Sequence, residues 1–349
     1  MKYLSVRIAV ILCIAIAIQC TGQKPDNELT IVFYNAENLF DTEDEPGKED
    51  NDFTPGSELA WNQEKYEKKL NDIARVISTI NPDELPEIVG LCEVENKKVL
   101  NDLVLTEQLK SGNYSFIHFD SPDERGIDAA LIYRPDEFTP EEYKPIPVIF
   151  PFDSSETTRD ILYIKGKTKD GEILYFFVNH WKSRSEGVQE TEARRIYTAV
   201  ALRKEIDLIM NKEPDAKIII MGDLNDEPTN RSIHEMLQAN NKRKNATSRE
   251  LYNLMYDIHN NGNNGSYFYK GTWNMLDNLI ISRSLLNNKS GYQTDYEGGK
   301  IFRQDWMVYK DQKYNESVPN RTYGGPQYYG GISDHFPIYV ILRSQDAIR

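Results

Sequence analysis

The sequence predicts a single α/β domain with long loops, and three observations carry that class. Short apolar runs of β type alternate with two long amphipathic stretches of helical period. No internal repeat and no Pro/Ser-rich linker divides the 349 residues. Apolar residues make up 39% and charged residues 28%, which builds a large core and is too mixed for a disordered chain.

The first element is a leader. Lys2 and Arg7 precede an unbroken apolar run over residues 8–18. Eleven helical residues rise only about 16 Å, short of the roughly 30 Å hydrocarbon core of a bilayer. The run therefore reads as the h-region of a signal peptide over residues 1–22. Cys20 follows Ala17-Ile18-Gln19, a loose lipobox, so a lipoprotein leader ending at residue 19 stands beside ordinary cleavage after Ala17 or Gly22. Either way the chain is expected to be exported, as a secreted, periplasmic or lipid-anchored envelope protein. Only Cys92 remains outside the leader region, so disulfides cannot staple the domain, and a small buried hydrophobe is the expected role of that thiol.

The domain itself is expected over residues 28–343. A β run at 30–34 (TIVFY) leads into an acidic segment, Asp41 to Asp52, with seven carboxylates against Lys48. That segment lacks the ligand order of an EF-hand, so a solvated loop is the default and a Ca²⁺-binding rim loop the alternative. Residues 61–80 place Tyr66, Leu70, Ile73, Ala74, Ile77 and Ile80 at spacings of three and four, a helix ended by Asn81-Pro82. Strands are expected at 88–92, 129–133 and 173–179, a helix at 190–210, a strand at 217–221 and a short helix at 229–237. The stretch 240–272 reads as loop. Strands at 276–282 and 336–342 flank a long polar, aromatic segment at 287–331.

Lys plus Arg number 41 and Asp plus Glu 55, a formal charge of −14, and loss of Lys2 and Arg7 with the leader takes it to −16. That acidity argues against a nucleic-acid coat or a protein held to anionic membranes by charge. It leaves room for an enzyme that handles phosphate at one concave site.

The chemistry gathers at strand ends. Asn35 and Glu37, Glu93, Asn179 and His180, Asp223 and Asn225, and Asp334 and His335 each follow a buried run. Strand ends present functional groups from rigid backbone. Carboxylates and amides without thiolates suit a hard cation such as Mg²⁺ or Mn²⁺, and two His residues suit proton transfer.

Taken in order, YNAENLFD (34–41), GLCEVEN (90–96), RGIDAALIYR (125–134), VNHWKSR (178–184), MGDLND (221–226), LDNLIIS (276–282) and SDHFPI (333–338) resemble the endonuclease/exonuclease/phosphatase superfamily, whose members include DNase I-like nucleases. The resemblance runs from about residue 30 to residue 342. It implies a four-layered α/β/β/α sandwich of two mixed sheets. It implies Glu93 as main metal ligand, Asn35 beside that metal and Asp334 as a further acidic group there. Asp223 and Asn225 would orient the attacking water and hold the phosphate. His335 would exchange protons at the phosphate, oriented by Asp277, and His180 would be a general acid or phosphate contact. The implied cofactor is Mg²⁺, with Mn²⁺ or Ca²⁺ as alternatives.

Basic residues lie near these tags. Lys182 and Arg184 alternate after His180 and could touch phosphate from one face. Arg125, Arg159 and Asn179 are further candidate substrate contacts. Arg194 and Arg195 are expected to be solvated or salt-bridged. Tyr323, with Tyr328 and Tyr329, offers base stacking, or else packs on its own loop. The leading functional expectation is an exported, metal-dependent phosphodiesterase, an endonuclease on DNA or RNA, monomeric and without a protein partner. A phospholipid or inositol-phosphate hydrolase of sphingomyelinase type is the alternative. A dead binding module is the least supported, because every catalytic tag is intact.

Overall fold

A computed structural model describes residues 28–286 and 290–344. The leader, Cys13 and Cys20 lie outside the described residues. Among the described residues no helix is long and apolar enough to cross a membrane.

Two seven-stranded mixed sheets form the centre. The first contains β1 (Glu28–Leu39), β2 (Ile88–Val94), β3 (Ser115–His118) and β4 (Asp128–Tyr133), closed at its other side by β14 (Tyr292–Gln293), β15 (Lys300–Ile301) and β20 (Ile338–Ser344). The second runs in the order β5 (Phe138–Ile146), β6 (Ile161–Thr168), β7 (Ile173–His180), β8 (Lys217–Asp223), β13 (Asp277–Ile281), β10 (Leu251–Asn253) and β9 (Ala239–Asn240). Helices α1 (Gln63–Thr79) and α2 (Lys97–Val104) cover the first sheet, and α3 (Glu192–Lys212) covers the second. The four-layered sandwich is thus the architecture.

Strand periodicity builds three hydrophobic layers. Ile31 and Phe33 of β1, Phe176 and Val178 of β7, Ile219 and Met221 of β8, and Leu279 and Ile281 of β13 face the space between the sheets. Their odd-even partners face the helices, as Val32 and Tyr34 do under α1 and Ile218 and Ile220 do under α3. Two glycines set close approaches. A Cβ on Gly90 would run into the Met221 sulfur across the sheets, and a Cβ on Gly222 would run into the Asn179 carbonyl of the neighbouring strand.

The expected helices and strands are present with ends moved by a few residues, and the expected helix at 229–237 is a five-residue π-type turn, Ser232–Met236. The segments read as loop also hold short elements: α4 (Tyr256–Asn260) and the two-stranded pairs β11 (Tyr267–Tyr269) with β12 (Thr272–Asn274), β16 (Val308–Asp311) with β17 (Glu316–Pro319), and β18 (Tyr323–Gly324) with β19 (Gln327–Tyr328). The acidic segment is only partly solvated. Asp41 and Asp50 are buried, and the Asp41 amide donates to Glu95 at 2.6 Å. Cys92 is free and buried, and burial pushes its thiol well up, as expected for a small hydrophobe.

Candidate active site

The inward phase of the central strands carries the site. Continuing the sequence Ile31, Phe33 by two residues gives Asn35. Phe176 and Val178 lead to His180, Ile219 and Met221 to Asp223, and Ile281 and Leu279 back to Asp277. Each polar residue therefore ends the apolar layer between the sheets at the same edge. Glu93 would point the other way in a regular strand. Its backbone is left-handed, with φ +58°, and the β1–β2 and β2–β4 pairings both slip around it. Asn225 has φ +49° and Glu37 and Asn38 have φ +48° and +57°, so non-glycine residues in this disfavoured region cluster at the site.

The side chains converge. Asn35 Nδ2 donates to Asp223 Oδ2 at 3.1 Å and lies 3.5 Å from Glu93 Oε1. His180 Nε2 stands 3.9 Å from both Glu93 Oε1 and Asp223 Oδ2. His335 Nδ1 is 2.7 Å from Asp277 Oδ2, and its Nε2 faces Asp223 Oδ2 at 3.8 Å and Asp334 Oδ1 at 3.9 Å. Asp223 Oδ1 accepts the Asn225 amide N–H at 2.9 Å, and Asn225 Nδ2 donates to the Trp181 carbonyl at 3.0 Å. Asp334 Oδ2 accepts from Arg321 at 2.8 Å.

The two imidazoles differ in charge. Burial alone pulls His180 well below its ordinary value, and the Arg159 and Arg125 charges add to this, so it is neutral. Burial also opposes protonation of His335, but the Asp277, Asp223 and Asp334 carboxylates outweigh it and hold His335 well above the usual imidazole range. Burial and the charges of Asp277 and Glu93 raise the Asp223 carboxyl.

The donor set fits a hard divalent cation. Asp223 and Asp277 are buried carboxylates with the partly exposed Glu93 and Asp334 beside them, and one ligand atom each from Asp223, Asp277 and His335 fall within 4.8 Å of one another. No thiolate competes, because Cys92 is held neutral. Glu93 and Asp334, both partly exposed, are carboxylates that could hold the ion. Asn35 spends its oxygen on the Glu37 N–H at 2.9 Å and turns its NH₂ toward Asp223 and Glu93, so it holds those carboxylates in place.

The remaining sequence candidates take different places. Asn179 belongs to the helix-facing phase of β7, where it accepts from Trp181 Nε1 at 3.1 Å and donates to the Phe177 and Met221 carbonyls. Arg159 is buried and fully engaged, with Asp123 at 2.8 Å and the His180 and Trp181 carbonyls at 3.2 and 2.7 Å. Lys182 pairs with Glu156 at 2.9 Å and Glu186 at 2.8 Å. Arg184 binds the Asn225 carbonyl, Asp226 and Asn230. The chain leaves β7 at His180, so Lys182 and Arg184 do not share a strand face, and the structure does not bring them to the site as free cations. Arg125 does reach the rim, 2.6 Å from Asn38 Oδ1 and 3.9 Å from Glu93. Tyr323 donates to the Leu59 carbonyl at 3.0 Å and packs on Trp61 and Tyr328. Arg194 pairs with Glu156, and Arg195 pairs with Asp226 at 2.8 Å, fully buried.

Sequence reasoning missed three supports. Tyr267 stacks on the His335 ring, with centroids 4.7 Å apart. Lys69 lies fully buried on α1, donating to Thr322 Oγ1 at 2.7 Å and the Ile332 carbonyl at 2.5 Å, with Glu37 3.7 Å away. The only sequence signal was a lysine beside Leu70 on the apolar side of the helix. Arg321, two residues before Tyr323, is the partner of Asp334.

Comparison with known proteins follows the geometry. The profile described as the Endonuclease/Exonuclease/phosphatase family matches residues 30–344. No curated protein matches the chain. Among solved structures, an endonuclease/exonuclease/phosphatase family protein from Bacteroides thetaiotaomicron superposes with TM-score 0.56 at 19% identity, over 90% of this chain and 94% of that one. A mannosyl-6-phosphatase of Bacteroides thetaiotaomicron VPI-5482 gives TM-score 0.55 at 19% identity, over 90% and 99% of the chains. The human Nocturnin catalytic domain with bound sulfate gives 0.53 at 16% identity, over 91% and 95%.

Proposed function

This chain belongs to the endonuclease/exonuclease/phosphatase family, and from that premise we propose that it is a divalent-metal-dependent phosphoester hydrolase in which His335, Asp277 and Asp223 manage the proton. The observation that carries this reading is the Asp277–His335 contact at 2.7 Å with Asp223 facing the other ring nitrogen. Members of the superfamily hydrolyse phosphoester bonds.

Glu93 and Asp334 would hold a divalent cation, which when bound would offset the negative charge building on phosphorus. The chain's own groups do the rest. Asp277 fixes the His335 tautomer and stabilises its cation, so Nε2 presents a proton toward the phosphate. Asp223, raised by burial, is a carboxylate that can take a proton from water. Asn225, fixed by Asp223 and Trp181, aims into the same corner. Neutral His180 can hydrogen-bond a phosphate oxygen without adding charge repulsion between the two imidazoles.

The substrate reading rests on charge. Mg²⁺ is the proposed ion, with Mn²⁺ or Ca²⁺ as alternatives. An exported nuclease on DNA or RNA remains the reading motivated by His180. The pairing of Lys182, Arg184 and Arg159 with internal acceptors supports instead a compact phosphoester, because a polynucleotide needs a run of unpaired cations. A panel of plasmid DNA, RNA, sphingomyelin, inositol phosphates and sugar phosphates, assayed with each of the three ions, separates these readings. Hydrolysis of plasmid DNA or RNA in preference to all small phosphoesters would overturn the compact-substrate reading. Absence of hydrolysis across the panel would count against the activity itself.

A further inference from the structure

A second cluster of ligand-type side chains lies outside the site described above. His118 ends β3 and Asp128 starts β4. Asp120 lies in the segment between β3 and β4. The His118 side chain is completely buried, and neither ring nitrogen has a hydrogen-bond partner. A neutral imidazole always carries one N–H and one lone pair, so burial without partners leaves both unsatisfied at a real cost.

The surroundings say what would satisfy it. His118 Nε2 lies 3.2 Å from Asp128 Oδ2, close without being hydrogen-bonded, and Nδ1 lies 3.7 Å from Asp120 Oδ1. Two ligands on one ion with bonds of roughly 2.0–2.2 Å stand about 3.0–3.4 Å apart, the range in which His118 and Asp128 meet. One atom each from His118, Asp120 and Asp128 falls within 4.8 Å of the others. The second oxygen of Asp128 accepts the Ser121 N–H at 2.9 Å, the kind of outer contact that orients a ligating carboxylate.

We propose that His118, Asp128 and Asp120 form a second divalent-cation site, distinct from the catalytic corner and suited to Zn²⁺. The imidazole selects a borderline ion such as Zn²⁺ over Mg²⁺ or Ca²⁺, and the carboxylates neutralise it. Its position gives it a purpose. The segment between His118 and Asp128 carries Asp123, which holds Arg159, and Arg125 at the catalytic rim. An ion bound to His118, Asp120 and Asp128 fastens the two ends of that segment together.

The test is Zn²⁺ binding by the whole chain, measured by equilibrium dialysis and calorimetry in a Glu93→Gln/Asp223→Asn background that weakens the catalytic corner. One Zn²⁺ per chain is expected to remain, with X-ray absorption showing one imidazole among oxygen ligands and with the thermal midpoint rising on Zn²⁺ addition. His118→Ala is expected to weaken this binding at least about 100-fold, and Asp120→Asn about 10-fold. Asp120 is 70% exposed, so its variant keeps the question open to test where His118→Ala does not fold. A background protein that binds no Zn²⁺, or binding that survives both substitutions unchanged, would overturn the proposal and leave His118 as a buried side chain beside Asp128.

Discussion

His335 Nδ1 and Asp277 Oδ2 meet at 2.7 Å although the two residues belong to different sheets, His335 just ahead of β20 and Asp277 at the head of β13. Their contact closes the edge of the sandwich. It fixes an imidazole on one half of the molecule by a carboxylate on the other.

Replacing that carboxylate tests its role. Asp277→Asn keeps the shape of the site and removes the charge that holds the His335 proton. The rate constant kcat on the substrate found by panel assay is expected to fall by about 10³-fold with KM nearly unchanged. The alkaline limb of the pH profile should move to lower pH, because His335 owes its raised proton affinity to Asp277 first among its carboxylate neighbours. A fall in KM-governed binding with kcat intact would show that Asp277 is structural.

Metal dependence should reside at Glu93. Stripping divalent ions with a chelator is expected to abolish turnover, and Mg²⁺ to restore it. Glu93→Gln removes a carboxylate whose oxygens meet the Asn38 N–H at 2.9 Å and the Asn35 amide at 3.5 Å. The Mg²⁺ concentration for half-maximal rate should rise at least about 10-fold, read from a metal titration at saturating substrate. An unchanged titration curve would move the ion's anchor to another residue.

Arg159 should behave as a buried brace. Its guanidinium spends its donors on Asp123 and two main-chain carbonyls beside His180. Arg159→Met leaves Asp123 buried and uncompensated, so urea unfolding should show a loss of about 3–5 kcal/mol. Substrate KM is the wrong place to see a large change, unless Arg159 also reaches the phosphate.

A pH effect on stability is expected from Glu250. The Lys242 ammonium, 2.5 Å away, and the Thr247 N–H at 2.8 Å hold its carboxyl below the ordinary range. The folded value is thus below the unfolded one of about 4.3. The stabilisation is present above the unfolded value and is lost as pH falls through the folded value. Glu250→Gln should lower the thermal midpoint at neutral pH and leave it almost unchanged at acid pH, so the acid limb of a plot of thermal midpoint against pH flattens.

Much of this was readable from residue order, and the exceptions have physical causes. Strand alternation places Asn35, His180, Asp223 and Asp277 in the inward phase, so their convergence follows from periodicity once the strands are recognised. The same alternation turns Asn179 toward the helices, a consequence available from Leu174, Phe176 and Val178 and not drawn. Strand β5 was missed because Pro140, Pro145 and its charged residues mask the pattern, as suits an edge strand. Strand β10 has three residues, too few for any period. The neutralisation of Lys182 by Glu156 spans 26 residues, and Lys69 meets Thr322 across 253, so neither pairing leaves a local signal. The motif tags located the corner. The partners that brace it came only from the folded chain.

Asn35 and Glu93 arrive on one sheet, and His180, Asp223 and Asp277 on the other. The catalytic corner is therefore a joint between two slabs rather than a pocket carved into one. Its alignment is inherited from the hydrophobic filling between them, Phe176, Val178, Met221 and their neighbours, which no substrate ever touches. Evolution of this enzyme's rate is thereby tied to evolution of its interior. A mutation that lets the slabs slide by a fraction of an ångström retunes the distance from imidazole to carboxylate, and purely apolar residues become determinants of turnover.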